Sequence, residues 1–120
     1  MFLLQGGDEM ATIQDVINNA KSYNNKSNSK KIQAAYDFAE AAHNGQLRMS
    51  GEPYIIHPLE VAYIITTLQL DDDSICAALL HDVFEDTEVT HEEVREKFGE
   101  DVEKLVEGVT KLGNLASHGT

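Results

Sequence analysis

Apolar residues recur along this chain at helical spacing, and no stretch alternates apolar and polar residues as a strand would. Ile13, Val16, Ile17 and Ala20 fall on one face of a helix over about 13–23, with Thr12 placed to cap it. The polar run Asn24 to Asn28 breaks the pattern. A second helix is expected over about 29–44, with the stripe Ile32, Ala35, Tyr36, Ala39 and Ala42, and Gly45 to stop it. His43 lies beside the end of that stripe and reads as a hydrogen-bonded packing residue. Gly51 and Pro53 make the next segment a turn, and Tyr54-Ile55-Ile56 reads as extended and tucked in. Pro58 suits the first position of a third helix, about 58–69, which leaves His57 just outside it. Leu59, Ala62, Ile64, Ile65 and Leu68 form the buried side of that helix. Asp71 or Asp72 caps a fourth helix reaching to about 86. Thr90 and Glu93 have capping-box spacing and open a fifth, ending near Gly99. A sixth, about 100–112, carries Val102, Leu105, Val106, Val109 and Leu112. The expected fold is all-α, a bundle of five to six helices centred on the third and fourth.

The fourth helix carries the chemistry. Ile75 to Leu80 are apolar or small, as in a helix buried on all sides. His81 and Asp82 follow directly, then Glu85 and Asp86 one turn later. In a continuous helix His81 and Glu85 share one face, and Asp82 and Asp86 the neighbouring one. Imidazole and carboxylate suit a divalent ion, and the second acidic pair can handle a proton. The competing reading makes Glu85, Asp86 and Glu88 a solvated helix end. His57 and Arg48, on the preceding loop, join the candidate set.

Composition narrows the choice. At 120 residues and 42% hydrophobic, the chain suits one domain with one core. Its lone cysteine, Cys76, cannot form an internal disulfide and reads as a small buried hydrophobe. No apolar run reaches the length of a membrane span, and Met1 to Glu9 makes a poor signal peptide, so the expected compartment is the cytoplasm. Residues 1–10 read as a disordered or vector-derived leader, 11–113 as the domain and 114–120 as a tail. The net charge of −12 argues against nucleic acid as a partner. It is uneven: residues 71–107 hold fourteen acids and three bases, against seven and five in residues 1–70. A phosphate ligand would be repelled there unless a cation bridged the two. Asp71-Asp72-Asp73 and the acids from Glu100 to Glu107 read as solvated faces and helix starts.

Three segments in order carry a specific resemblance. Arg48-Met49-Ser50-Gly51-Glu52-Pro53-Tyr54-Ile55-Ile56-His57-Pro58-Leu59-Glu60-Val61-Ala62 is the first. Ala78-Leu79-Leu80-His81-Asp82-Val83-Phe84-Glu85-Asp86-Thr87 is the second, and Gly108-Val109-Thr110-Lys111-Leu112 the third. Together they resemble the HD-type hydrolase domain of the RelA/SpoT homologues, enzymes that make and degrade the alarmone (p)ppGpp, over about residues 12–113.

The resemblance implies a helical HD-domain fold with a single manganese ion. It implies His57, His81 and Asp82 as metal ligands, and Glu85 and Asp86 as the pair that activates or orients the attacking water. It implies that Arg48 packs on the guanine base and that Ser50 helps hold the nucleotide. The implied reaction is hydrolysis of the 3′-pyrophosphate of (p)ppGpp to GDP or GTP and pyrophosphate. A divalent ion suits that chemistry, since it neutralises phosphate charge and promotes formation of a nucleophile near neutral pH. Two departures stand out. Met49 occupies a position where the family usually has lysine. The family's fourth metal ligand, an aspartate on a later helix, has no counterpart within these 120 residues, and Asp101 falls too early to supply it. The expectation is therefore the front part of a longer enzyme. The alternative is a catalytically incomplete HD module with a regulatory role, or one forming a homo-oligomer through apolar surface that further helices would cover.

Overall fold

The computed structural model describes residues 11–47, 51 and 53–108. Among these the chain is helical, with no strand and one isolated antiparallel bridge between Leu47 and Pro53. The helices are α1 (Ile13–Tyr23), α2 (Ser29–Ala42), α3 (Ile56–Thr67), α4 (Asp72–Leu80), α5 (Val83–Asp86) and α6 (His91–Phe98). A further helix, α7, starts at 100 and is described to 108.

Local chemistry sets most of the starts. Thr12 accepts from the Asp15 amide while the Asp15 carboxylate accepts from the Thr12 amide, a capping box. Thr90 and Glu93 repeat the device at α6. Asp71 caps α4 through the Ser74 amide at 3.0 Å.

α4 is the axis of the core. Ile75 through Leu80 are all buried, and α4 packs against α2 and α3, with α1 laid against both of those. Val16, Ile32, Ala62 and Leu79 meet in one cluster that also takes in Val94, Val102 and Val106. Phe38 and Phe98 meet edge to face at 5.6 Å between ring centres and tie α6 to α2.

Three expectations are corrected. Pro58 is the third residue of α3, not the first, so His57 lies inside the helix. The turn before α3 already winds helically: the Ile56 amide donates to the Pro53 carbonyl and the His57 amide to that of Tyr54. Pro58 remains within the first turn, where no N–H is needed. Second, Ile64 and Leu68 are 55% and 62% exposed, not buried. α3 is apolar nearly all round, and α1 and α4 cover only one side of it. Leu105 on α7 is likewise 40% exposed, although Val102 and Val106 beside it are buried.

The third correction is at the centre. The helix does not run unbroken to 86; it breaks at His81 and Asp82. The Nδ1 of His81 lies 2.6 Å from the Ala78 carbonyl, which also accepts from the His81 amide at 3.4 Å. In a regular α-helix that carbonyl would take the Asp82 amide. The histidine ring takes it instead, and winding resumes only when the Asp86 amide reaches the Asp82 carbonyl.

Candidate metal centre

His57 stands in the first turn of α3, His81 closes α4, and Asp82 precedes α5. The packing of α3 on α4 brings them together. One ligand atom from each of the three lies within 4.8 Å of the others. The His57 and His81 rings meet at an angle of 65° with centres 5.2 Å apart. His81 Nε2 is 3.3 Å from Asp82 Oδ1. All three residues are half-buried, so the site is screened yet reachable.

The Ala78 carbonyl settles the tautomer of neutral His81. A carbonyl only accepts, so Nδ1 carries the proton and Nε2, toward Asp82, carries the lone pair. Histidines that bind metals are commonly oriented this way, with the remote nitrogen donating to a backbone oxygen. The bond that breaks the helix thus also turns a lone pair toward the His57–Asp82 cluster, where it could ligate an ion. Two imidazoles and a carboxylate are a donor set that fits a divalent transition ion.

Glu85 is exposed and Asp86 half-exposed on the single turn α5. Both line an open cleft of about 760 Å³ that also takes in Gln46, Thr87, Glu88 and Glu93. The trio does not line this cleft; Asp82 joins it to α5 through the chain. Four carboxylates make the cleft a poor seat for phosphate unless positive charge is brought to it. Arg48 and Ser50, the residues expected to hold the nucleotide, lie outside the described residues, as does Met49. Thr110, Lys111 and His118 lie outside them too.

Two residues near the site had not drawn notice for function. Gln46 Nε2 donates to the Asp86 carbonyl at 2.8 Å. Thr87 donates its hydroxyl to the Val83 carbonyl and accepts from the Val89 amide, closing α5. A polar residue just after a helix-stopping glycine was the signal available for Gln46, and it is a weak one. His43 is a buried packing residue, as expected, with Nδ1 3.1 Å from Gln46 Oε1. His91 is exposed, stacks on Phe84 and lies 3.1 Å from Glu103. Tyr54 forms a pocket wall against His43.

A helical bundle that gathers a histidine and an adjacent His-Asp pair defines a class, and residues 35–119 match the HD domain family. The chain belongs to that family. Among its relatives, the guanosine-3′,5′-bis(diphosphate) 3′-pyrophosphohydrolase of Aquifex aeolicus (strain VF5) is 56% identical over 87 residues, 72% of this chain and 12% of that protein. The bifunctional (p)ppGpp synthase/hydrolase SpoT of Escherichia coli (strain K12) is 51% identical over 86 residues, again 72% and 12%. A protein of Myxococcus xanthus named GTP pyrophosphokinase is 54% identical over 86 residues, 72% of this chain and 11% of its own length. The chain thus spans about an eighth of the length of these curated relatives. HD domains depend on a metal, and no helix among the described residues is long and apolar enough to cross a membrane.

Proposed function

We propose that this domain hydrolyses the 3′-pyrophosphate of (p)ppGpp, with one manganese ion, as the front part of a larger enzyme. The observation that carries the reading is the convergence of His57, His81 and Asp82 within 4.8 Å, in a chain whose relatives are named for that reaction. His57, His81 and Asp82 would hold the ion. When bound it supplies Lewis-acid chemistry: neutralisation of phosphate charge and easier deprotonation of water.

The chain's own residues do the rest. Glu85 and Asp86 orient the attacking water and take its proton. The water oxygen bonds to the phosphorus next to the ribose, and the 3′ oxygen leaves and is protonated. The products are GDP or GTP and pyrophosphate. Arg48 stacks on guanine through its planar guanidinium, and Ser50 holds the nucleotide by hydrogen bonding. The lone thiol suits a cytoplasmic setting.

The test is pyrophosphate release from ppGpp with manganese, with and without EDTA. EDTA-sensitive turnover, lost in Asp82→Ala, is the expected result. No turnover with manganese sinks hydrolysis by this chain. In that event the exposed Ile64 and Leu68 favour a second reading, a module that pairs with another copy through α3. A monomer by light scattering at high concentration would reject it.

A further inference from the structure

We infer that Gln46, held in place by His43, is a positioning residue for the turn that carries Glu85 and Asp86. The inference rests on the reading of that turn as the proton-handling part of the site.

α5 is one turn of four residues. A turn so short has little stability of its own, and its last carbonyls lack partners within the helix. Gln46 supplies one. Its side-chain amide reaches from the end of α2 to the Asp86 carbonyl at 2.8 Å. Gln46 is itself held at three further atoms. Its backbone amide donates to the His43 carbonyl at 2.9 Å, and its carbonyl accepts from the Tyr54 amide at 3.2 Å. Its Oε1 faces His43 Nδ1 at 3.1 Å.

The proton positions follow from the acceptors. The Asp86 carbonyl needs a donor, so that end of the Gln46 amide is NH₂ and the other is oxygen. An oxygen facing His43 Nδ1 makes Nδ1 the donor. In the neutral ring Nε2 then holds a bare lone pair. His43 is 3% exposed, and Nε2 meets no hydrogen-bond partner among the described residues. The ring also stacks on Tyr54, with centres 5.0 Å apart and planes within 7°.

A phenylalanine would make that stack without burying an unsatisfied nitrogen. Packing alone therefore gives no reason for histidine. The Nδ1 proton does: it holds the glutamine amide in the orientation that braces Asp86. Stability and positioning make opposite demands at residue 43, and this lets an experiment separate them.

The experiment measures amide hydrogen exchange, thermal stability and ppGpp turnover in the full chain and three variants. The Asp86 and Thr87 amides, bonded to the Asp82 and Val83 carbonyls, report the turn. In Gln46→Leu they should exchange roughly tenfold faster, the scale of one lost hydrogen bond, while the Val94 amide stays unchanged. In turnover, kcat should fall by a similar factor with KM and manganese affinity held. His43→Phe should speed the same amides and lower kcat while Tm holds or rises. His43→Asn, whose NH₂ replaces the Nδ1 donor, should restore exchange and kcat toward wild type while Tm falls. His43→Phe with unchanged exchange and unchanged kcat would overturn the proposal. Faster exchange in a chain that shows no turnover even as wild type would leave the brace standing and sink the hydrolase reading instead.

Discussion

The two ends of α4 carry the same kind of residue and use it differently. At the N-terminal end, three consecutive aspartates are spent on structure. Asp71 caps the helix, Asp72 accepts from the Ser27 hydroxyl and the Asn28 amide, both at 2.7 Å, and Asp73 pairs with Lys31 at 3.0 Å. At the C-terminal end, Asp82 sits among two histidines, and Glu85 and Asp86 face an open acidic cleft. The difference lies in the partners. Hydroxyl, amide and amine donors fix the first set in place, whereas the second set lies beside two imidazoles and an open cleft, where a bound cation would offset the gathered negative charge. An acidic run is thus a helix start or a site according to what the fold lays against it.

The largest effect that would sharpen this contrast is at Asp82. Asp82→Ala should lower manganese-dependent turnover by more than about 100-fold, since outer partners of metal ligands are commonly worth roughly 10–100-fold and a direct ligand more. Manganese affinity, read by titration calorimetry, should fall with it while the melting temperature in EDTA stays within a few degrees. A variant that retains both turnover and metal affinity would remove Asp82 from the ligand set and undo the comparison.

Next in size is the opposite end. Asp72→Ala strips two hydrogen bonds and leaves the Ser27 hydroxyl, buried at 6% exposure, without its partner. The cost should be roughly 1–3 kcal/mol in urea denaturation, with manganese affinity unchanged. A change in metal affinity with little loss of stability would show that the two ends are not separate in role.

Cys76, midway along the helix, offers a meter for both. Its thiol is fully buried, and burial first of all pushes its pKa up from the ordinary 9.0 to about 12. It is therefore a protonated, inaccessible thiol at neutral pH and should alkylate only when the helix opens. With iodoacetamide, Asp72→Ala should label several-fold faster than wild type, and Asp82→Ala, in metal-free buffer, at nearly the wild-type rate. Fast labelling of the wild type would contradict the buried position of Cys76.

Much of this contrast was legible in the sequence, for identifiable reasons. Thr12, Thr90 and Asp71 cap their helices because capping depends on residues three apart. The buried run Ile75 to Leu80 shows as unbroken apolarity. The His-Asp pair and the histidine after Tyr54-Ile55-Ile56 show as a motif. What periodicity could not show depends on side chains meeting backbone at a distance or on neighbours in space. A helix pattern assumes every carbonyl takes the amide four residues on, so it runs through His81, whose ring captures the Ala78 carbonyl. It makes Ile64 and Leu68 core, although only one face of α3 meets α1 and α4. It says nothing of Ser27 meeting Asp72 across 45 residues, or Gln46 meeting Asp86 across 40.

The smallest effect is at Asp71, and its sign follows from the cap. The Ser74 side chain, and then its backbone amide, hold the Asp71 carboxyl below its ordinary value of 3.8. A carboxyl lowered in the folded state contributes stability that is fully present above its unfolded value. That contribution is lost as pH falls through the folded one. The window therefore lies below about pH 4, and acidification there should weaken the wild type slightly through this group. Asp71 is exposed, so solvent screens much of the interaction. The Asp71→Asn variant would still be capped, because asparagine ranks with aspartate at this position, and it would lose only the favourable charge at the helix start. The substitution should thus cost no more than a few tenths of a kcal/mol at neutral pH. Its difference from wild type should shrink as pH falls below about 4, with no effect on metal affinity at any pH. A difference that grows on acidification would mean that Asp71 stabilises the fold in its protonated form, and the N-terminal end of α4 would then not be held by its charges.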